Sequence, residues 1–396
     1  MDISKNYLDN ILPALKNAVI KSSSEISDIQ KDDIALQYYV LKESNLISIS
    51  SVSLIHINKQ YIREGKIEVP ELFTTVDMTE FVIQEQEEIQ NKLILMRNIL
   101  NREIPQVEIS FDRCDMPYEC EFKNYCWAHI PPVSVFNLSR LTKANKFKLY
   151  TQGIVNLKDL PKDYKLSAFQ KAQVEAELSG NDVVDNNSLS RFLSEEINYP
   201  LYFLDFETFF TAIPRFNGIR PRQKIPFQYS LHIQHEDGKL EHFEYLADGK
   251  EDPRIKLLEQ LKGEIEGKGS VVVFNKSFEN GVFKKLAEDF PEHAEWINKV
   301  LGRIIDLAVP FQNFHYYCPT QKGKYSIKKV LPAITGKGYD NLEINNGGDA
   351  SILYYNSHIA NKEEVNDKLR QNMLNYCGLD TEAMVWIVDE LRKLIK

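Results

Sequence analysis

Two acidic residues alternate with bulky apolar residues in segment 201–208 of this chain. The alternation predicts a buried β-strand, in which side chains at positions i and i+2 point to the same face. Asp205 and Glu207 should therefore place both carboxylates at one point near the end of the strand. Two like charges buried together are unfavourable unless a metal ion or a basic side chain compensates them. The pair predicts half of a divalent-metal site.

Length and composition set broad limits. The 396 residues are 43% hydrophobic and 27% charged, which is typical of a soluble globular protein with two or more domains. No apolar run is long enough to span a bilayer, and the first residues lack the layout of a secretory signal, so a cytoplasmic location is expected. The formal charge of −9 argues against a protein coated in positive charge for wrapping duplex nucleic acid, but it does not exclude a local basic path.

After Pro200 the pattern changes to strands alternating with helices. Three strands joined by short loops, followed by strand–helix alternation, predict an α/β fold with a mixed five-stranded sheet and flanking helices. The strands are predicted near 201–206, 226–235, 239–246, 270–274 and 303–306, and the helices near 253–265, 277–289, 291–300, 326–331, 349–359 and 363–394.

The first half of the chain has a different pattern. Residues 1–100 are predicted to be mostly helical, with a strand candidate at 52–57 and a long helix at 80–100. Residues 112–132 form a loop-rich boundary, and 138–178 have a compact helical pattern.

Another acid follows the predicted strand at 271–275. Ser277 is suited to cap the next helix, which would put Glu279 in the first helical turn, just past a strand end. Taken alone, such a glutamate is more often a complement to the helix dipole than a ligand.

Tyr376 and Asp380 share a face of the last predicted helix, because they are four residues apart. The acid could ligate a metal while the phenol orients a water. Alone, the pair is typical of an ordinary helix surface. The order of two acids on a first strand, one acid after a later strand and Tyr-x-x-x-Asp on a final helix is much more specific.

In this order the motifs resemble those of the DnaQ-like 3′–5′ exonucleases of ribonuclease H-like fold, the DEDD superfamily. The resemblance covers residues 200–396. Asp205 and Glu207 match the first motif, the stretch ending in Glu279 the second, and Tyr376 with Asp380 the third, in its tyrosine variety. The second motif usually ends in Asp, and Glu279 is one methylene longer.

The resemblance implies a metal-dependent 3′–5′ exonuclease that acts on single-stranded or frayed DNA or RNA. Two Mg²⁺ or Mn²⁺ ions roughly 4 Å apart would be held by the four acids, with Tyr376 positioning the attacking water. Asn275 and Asp306 resemble residues that support the ligands, although Asp306 is equally consistent with a satisfied strand-end acid. The alternative is a nucleic-acid binding or assembly module with a weakened site.

Two basic segments near the motifs contain no acid. Segment 214–226 carries Arg215, Arg220, Arg222 and Lys224, and segment 319–338 carries Lys322, Lys324, Lys328, Lys329 and Lys337. Tyr325 and Tyr339 lie among or beside these lysines. Lysines near aromatic rings suit a single strand, which presents both phosphates and base faces, although solvated loops are an equally good interpretation.

Three of the five cysteines, Cys114, Cys120 and Cys126, lie close together in the sequence, and metal or iron–sulfur ligation is one interpretation. The segment resembles the four-iron cluster segment of RecB-type PD-(D/E)XK nucleases. His129, a distant cysteine or a second chain would then supply the fourth ligand, and three unligated thiols are the alternative.

Lys21 and segment 33–39 also resemble the Glu-x-Lys strand and the Gln-x-x-Tyr helix of that family, but Val19 stands where Glu is expected and only 20 residues precede Lys21. The whole chain is similar to the carboxy-terminal part of a bacterial family that joins the two nuclease types. The implied domains are a truncated RecB-type remnant at 1–132, a helical connector at 133–195 and an exonuclease domain at 196–396.

Overall fold

The computed structural model describes residues 19–20, 26–101, 108–116, 118–340, 342–344, 346–361 and 365–395. Lys21 lies outside these residues. The chain divides into two compact units, one of residues 1–128 with 210–223 and one of residues 129–209 with 224–396. The division after residue 128 falls inside the predicted loop-rich boundary. Residues 133–195, predicted as a separate connector, belong to the same unit as the large sheet.

The smaller unit contains a three-stranded sheet, where a mostly helical region was expected. Its strands are β1 (Val19–Ile20), β2 (Ser53–Ile57) and β3 (Phe73–Asp77). The central strand β3 pairs parallel with β1 and antiparallel with β2. The strand predicted at 52–57 is confirmed as β2, and β1 lies where the resemblance to the Glu-x-Lys strand implied a strand, whereas β3 was not predicted.

The helices of this unit are α1 (Asp28–Glu43), α2 (Val69–Leu72), α3 (Thr79–Gln84), α4 (Gln86–Leu100), α5 (Phe111–Cys114) and α6 (Lys123–Cys126). Of these, α1 and α4 are long and the others are short. Ser27 and Gln30 form a reciprocal capping box at the start of α1. The helix predicted at 80–100 is present as α3 and α4, which meet at Glu85.

The larger unit begins with the segment predicted as a connector. It contains α7 (Lys143–Thr151), α8 (Ala168–Ser179), β4 (Val183–Val184) and α9 (Asn186–Arg191). The short strand β4 pairs antiparallel with β10 (Tyr316–Tyr317). The hydroxyl of Tyr316 also donates a hydrogen bond to Asp182 at 2.8 Å. These contacts attach the segment to the carboxy-terminal part of its unit.

The five-stranded sheet follows. Its strands are β5 (Leu201–Phe209), β6 (Ile225–Gln234), β7 (Leu240–Leu246), β8 (Ser270–Val273) and β9 (Ile304–Asp306). They lie in the order β7-β6-β5-β8-β9. Strands β5, β6 and β7 are antiparallel neighbours, while β8 and β9 run parallel to β5. The predicted α/β class with a mixed five-stranded sheet is confirmed.

Helices cover both faces of this sheet. The helices of this part of the chain are α10 (Arg254–Glu264), α11 (Lys276–Asp289), α12 (Ala294–Leu301), α13 (Val309–Gln312), α14 (Ile327–Thr335), α15 (Gly347–Tyr354) and α16 (Asp367–Leu394). Side chains from α10, α11 and α12 form a buried core with one face of the sheet, to which β5 contributes Tyr202, Leu204 and Phe206. Alternation turns Asp205 and Glu207 to the other face.

Helix α16 packs across that other face. The side chain of Gln228 on β6 donates to the carbonyl of Met373 at 2.9 Å, and His232 pairs with Thr381 at 2.8 Å. These contacts fix the rotation of α16 about its axis, so that the same side of the helix faces the acids of β5. Among the described residues, no helix is both long and apolar enough to cross a membrane.

Gly269 leads into β8 at a close approach between backbones. Its φ is +94°, and a Cβ at this position would lie 2.1 Å from the carbonyl oxygen of Pro200. An L-residue is strained in this conformation and would also collide with the neighbouring backbone.

We therefore expect Gly269→Ala to lower the free energy of unfolding by at least about 2 kcal/mol, measured by denaturant titration. Gly267→Ala is the matched control, because a Cβ there meets nothing within 4 Å. Equal stability of the two variants would contradict this account of the loop.

Candidate metal centre

Three carboxylates meet at the end of β5. Asp205 and Glu207 extend from the same face of the strand, and Asp380 reaches them from α16. One oxygen atom of each lies within 4.8 Å of those of the others. Among the residues that the structure describes, no other group of three or more Asp, Glu, His or Cys side chains has ligand atoms close enough together to hold one metal ion. The structure thus brings together three of the four predicted ligands, which we call the acid cluster.

Two tyrosines hydrogen-bond the third member of the cluster. The hydroxyl of Tyr339 donates to Oδ1 of Asp380 at 2.5 Å, and Tyr376, one helical turn before Asp380, hydrogen-bonds the same carboxylate. Both rings are buried. Tyr376 was predicted from its spacing, but Tyr339 was not assigned to the site. Its only signal was its place beside a basic segment, and no motif indicated it.

Lys328 supplies positive charge beside the cluster. Its Nζ lies 5.5 Å from the ring centroid of Tyr339 and 5.3 Å from that of Tyr376. The ammonium group lowers the pKa of both Glu207 and Asp380. Lys328 was predicted as a nucleic-acid contact, which stays a prediction, and the structure shows its charge acting on Glu207 and Asp380.

The Glu207 carboxylate lies against the start of α15. A Cβ at Gly347 would be 3.2 Å from Oε2 of Glu207 and 3.4 Å from Oε1. A side chain at position 347 would therefore crowd the carboxylate. The predicted helix 349–359 begins two residues earlier than expected, at Gly347, and continues as a π-helical turn over Tyr355–Ile359.

Cys377 packs directly under the strand acids. Its Sγ lies 3.7 Å from Oδ2 of Asp205, and the thiol donates a weak hydrogen bond. Burial, followed by the charge of Asp205, raises the pKa of this thiol well above its usual value. The interpretation of Cys377 as a small core residue of the last helix is consistent with its complete burial.

Burial makes ionisation of the cluster unfavourable. It is the largest cause that raises the pKa of each acid, and the charge of Asp380 is the next cause for Asp205 and Glu207. The pKa of Asp205 lies well above its ordinary value, that of Glu207 rises to about 8 and that of Asp380 to about 6. Deprotonation of all three acids requires additional positive charge.

Glu279 is close to this group but not part of it. It lies in the first turn of α11, is 1% exposed, and burial raises its pKa to about 8. Its charge contributes to the raised pKa of Asp205. Within the described residues its Oε2 has no hydrogen-bond partner. Direct ligation by Glu279 stays a prediction.

The turn before α11 is held by Asp306. Its carboxylate accepts hydrogen bonds from the backbone N–H groups of Asn275 (3.0 Å), Lys276 (3.1 Å) and Ala308 (2.9 Å). Asn275 adopts left-handed backbone angles, with φ 81° and ψ 66°. Asp306 is thus a satisfied strand-end acid that positions the helix carrying Glu279.

The prediction that Ser277 caps α11 is wrong. The helix already begins at Lys276, and the hydroxyl of Ser277 donates to Oδ1 of Asn275 at 2.7 Å. The backbone N–H groups at the start of the helix are satisfied by Asp306, a residue from the next strand, which a local capping rule cannot identify.

The site is suited to a hard divalent cation. It offers only oxygen ligands, which Mg²⁺ and Mn²⁺ prefer. Its acids are buried, their pKa values are raised, and Oε2 of Glu279 lacks a partner among the described residues. The Lys328 ammonium alone is one positive charge against four nearby carboxyl groups. The donor set and the charge deficit therefore both fit a bound ion.

The other predicted nucleic-acid contacts are distributed over both units. Arg220 and Arg222 belong to the smaller unit, where Arg220 donates to Oε1 of Gln60 at 3.2 Å and Arg222 lines a cavity of about 910 Å³. Lys224 belongs to the larger unit, with its Nζ 4.7 Å from the ring centroid of Phe278. Lys324 is exposed on the larger unit. Nucleic-acid binding by these residues stays a prediction.

The three clustered cysteines carry free thiols. Cys114 is buried, and Cys120 and Cys126 are partly exposed. Within the described ranges they do not form a group of three ligand atoms within reach of one ion. His129, considered as a fourth ligand, instead pairs through Nε2 with the Tyr150 hydroxyl at 3.0 Å. An iron–sulfur cluster or zinc ion at these cysteines stays a prediction.

The raised pKa values give a definite pH dependence of stability. Glu207 and Glu279 rise from 4.5 to about 8 on folding, so the folded state binds more protons than the unfolded state between these values. The stabilisation is therefore complete below the unfolded pKa and is lost as the pH rises through the folded pKa.

We expect the Tm of the metal-free protein to fall as the pH rises from about 5 to about 8.5, and Mn²⁺ to raise the Tm more at the upper end, where protons no longer compete. Glu207→Gln should reduce the pH dependence of the Tm and also the pH dependence of the Tm increase caused by Mn²⁺. Glu292→Gln, at an exposed glutamate outside the acid cluster, is the matched control. A Tm that rises over this window would contradict the electrostatic account.

Part of the chain is similar to a known family model. A model described as "Domain of unknown function (DUF2779)" matches residues 202–326. This range includes Asp205, Glu207 and Glu279, and it ends before Tyr376 and Asp380. No curated protein and no solved structure matches the chain.

Proposed function

We propose that this chain is a divalent-metal-dependent 3′–5′ exonuclease that hydrolyses single-stranded or frayed nucleic acid. The observation that carries the proposal is the convergence of Asp205, Glu207 and Asp380 within 4.8 Å, in a buried site where Tyr376 precedes Asp380 by one helical turn. This is the arrangement that the resemblance to the DnaQ-like family leads us to expect.

The sheet supports the same proposal. A ribonuclease H-like fold has three antiparallel strands followed by two strands parallel to the first, and the order β7-β6-β5-β8-β9 has this connectivity. The strand acids lie on β5, the first and central strand. Glu279 lies just after β8, the strand adjacent to β5, so the chain order of the motifs corresponds to neighbouring positions in the sheet.

Asp205, Glu207 and Asp380 would hold the divalent ions, with Glu279 beside them. When bound, such ions neutralise phosphate charge and lower the pKa of a water, which makes hydroxide available near neutral pH. Glu279 would supply a further carboxylate ligand to a second ion.

Tyr376 is suited to orient a water molecule and not to take its proton. Burial, followed by the charge of Asp380, raises the pKa of this phenol, so it stays protonated at physiological pH. While its hydroxyl donates to Asp380, its oxygen can accept a hydrogen bond from a water. Tyr339 donates to Oδ1 of the same carboxylate and so limits its rotation.

Lys328 is placed to attract the phosphate. Its ammonium group lies near the rings of Tyr339 and Tyr376 and acts on the charges of Glu207 and Asp380. A cation at this position reduces the repulsion between a phosphodiester and the acid cluster. It also keeps the carboxylates available to metal ions at lower pH.

The first test is hydrolysis of 5′-labelled single-stranded DNA and RNA with Mn²⁺. We expect the wild type to shorten the strands stepwise from the 3′ end, and Asp205→Asn to reduce the rate on the order of 10³-fold or more, because it removes a ligand charge. Asp163→Asn, at an exposed acid of the same unit, should retain the rate. Digestion that survives Asp205→Asn would overturn the proposal, and strand binding without digestion would favour a binding module.

A second test uses the pH dependence of the rate. Lys328→Gln removes the charge that lowers the pKa of Glu207 and Asp380, so the rising limb of the rate with pH should move to higher pH by up to about one unit. Lys329→Gln removes the same charge from an exposed neighbour and should leave the limb in place. Identical pH profiles for both variants would contradict this role of Lys328.

A further inference from the structure

A cavity of about 360 Å³ in the larger unit is lined by two segments that are distant in the sequence, 136–140 with Lys146 and 312–325. Four cations line it: Arg140, Lys146, Lys322 and Lys324. Among the described residues that line it, none is Asp or Glu. A concave site with this charge is suited to an anion. We call it the basic cavity.

Aromatic rings share the walls with these cations. Phe136, Phe314 and Tyr325 line the basic cavity, and Tyr325 is 49% exposed. A single strand presents phosphates to cations and base faces to rings, so this combination suits it better than it suits a small inorganic anion.

The loop that carries two of the lysines is fixed against the other wall. Gly323 has a φ of +74°, and a Cβ there would lie 2.2 Å from the carbonyl oxygen of Asn137. The carbonyl of Gly323 accepts from the Ser139 hydroxyl at 3.0 Å, and its N–H donates to the Tyr317 hydroxyl at 2.9 Å. Lys322 and Lys324 therefore flank an anchored residue, and little ordering is needed when a ligand binds.

Arg140 and Lys146 are held in the opposite wall. Nη2 of Arg140 donates to the carbonyl of Gln312 at 2.8 Å and to Oδ1 of Asn313 at 3.0 Å, and Nζ of Lys146 donates to the carbonyl of Phe136 at 2.8 Å. These partners are neutral, so they do not cancel the positive charge. Burial, followed by repulsion from Lys143, lowers the pKa of Lys146, and the negative charge of a bound anion would offset both effects by stabilising the protonated ammonium group.

Glu177 is an acid that acts on Lys322, in the loop wall of the basic cavity. Burial raises the pKa of Glu177, and this rise is only partly offset by the hydrogen bond that its carboxylate accepts from the Tyr317 hydroxyl at 2.5 Å and by the charge of Lys322. Glu177 does not line the cavity. One acid facing a single lysine leaves the basic cavity with a net positive charge.

The basic cavity is connected to the acid cluster through the chain itself. Lys324 lines the cavity, and Lys328, four residues later, faces the cluster. Four residues span at most about 14 Å. A strand whose 3′ end lies at the acid cluster can therefore continue towards the basic cavity.

We infer that the basic cavity binds the phosphodiester backbone of the strand upstream of its 3′ end, an inference that rests on the proposed function. Residues 136–146, which precede the sheet in the sequence, then form one wall of an extended substrate path. The acid cluster supplies the reaction, and the basic cavity supplies affinity for strands longer than the few nucleotides that the cluster itself can contact.

The test is fluorescence anisotropy of labelled oligo(dT) and oligo(U) of about 20 nucleotides, in a metal-free buffer with chelator, so that binding is measured without cleavage. The variant is Lys322→Asn with Lys324→Gln. Both side chains are exposed, and Asn tolerates the left-handed backbone of Lys322, whose φ is 49°. An unchanged Tm verifies that the variant is folded.

We expect the variant to bind these strands about 10-fold more weakly at low salt, and the slope of log K against log salt to fall by about 1.4, since each phosphate contact of a single strand contributes about 0.7. The weakening should be greater for the long strand than for one of about four nucleotides.

Tyr325→Leu should also weaken binding, by loss of stacking. Lys162→Ala with Lys165→Ala removes the same charge from exposed positions outside the cavity and should change affinity less than twofold.

Equal binding by the wild type and the Lys322/Lys324 variant would overturn this inference, and it would leave the exonuclease proposal intact if the wild type digests the strands. Absence of any strand binding by the wild type would overturn the inference as well. A loss of affinity in the variant supports the inference even if the wild type shows no digestion, in which case only the exonuclease proposal fails.

Discussion

The repulsion between buried carboxylates is the constraint on which the rest of this structure depends. Asp205, Glu207 and Asp380 lie within 4.8 Å of one another, and burial raises the pKa of each. Such a cluster is unfavourable for folding unless protons or cations compensate it. The acid cluster therefore does not contribute to the stability of the fold, and its retention indicates a functional role. Its oxygen ligands suit a divalent cation.

The surrounding structure holds these acids in place without neutralising them. Tyr339 and Tyr376 orient Asp380 by hydrogen bonds, and Lys328 reduces the charge without forming part of the cluster. Asp306 takes part in no ligand group among the described residues but fixes the turn that leads to Glu279. Elements distant in sequence thus position the acids, so the site is already formed before an ion binds.

The features predicted correctly depend on local patterns. Alternation in segment 201–208 predicts both the strand and the shared face of its acids, and four-residue spacing predicts that Tyr376 and Asp380 lie together on α16. The five strands of the large sheet are found within a few residues of their expected bounds, because apolar runs and turn residues mark them.

The features that were missed depend on contacts between distant segments. Tyr339 reaches Asp380 across 41 residues, and Asp306 replaces Ser277 as the cap of α11 across 30 residues. The two-residue strand β4 exists only through its pairing with β10. No periodicity in a single sequence encodes such pairs. The assignment of residues 210–223 to the smaller unit likewise has no local signal.

The most direct measurement of the central claim is anomalous scattering at the manganese edge from crystals grown with Mn²⁺. The account predicts a strong anomalous peak from a Mn²⁺ ion that is coordinated by carboxylate oxygens of Asp205, Glu207 and Asp380. It also predicts that this peak is lost in crystals of the Asp380→Asn variant. Absence of a peak, with the Lys328 ammonium in contact with the carboxylates of Glu207 and Asp380, would show that the acids are compensated by the protein alone and would contradict the account.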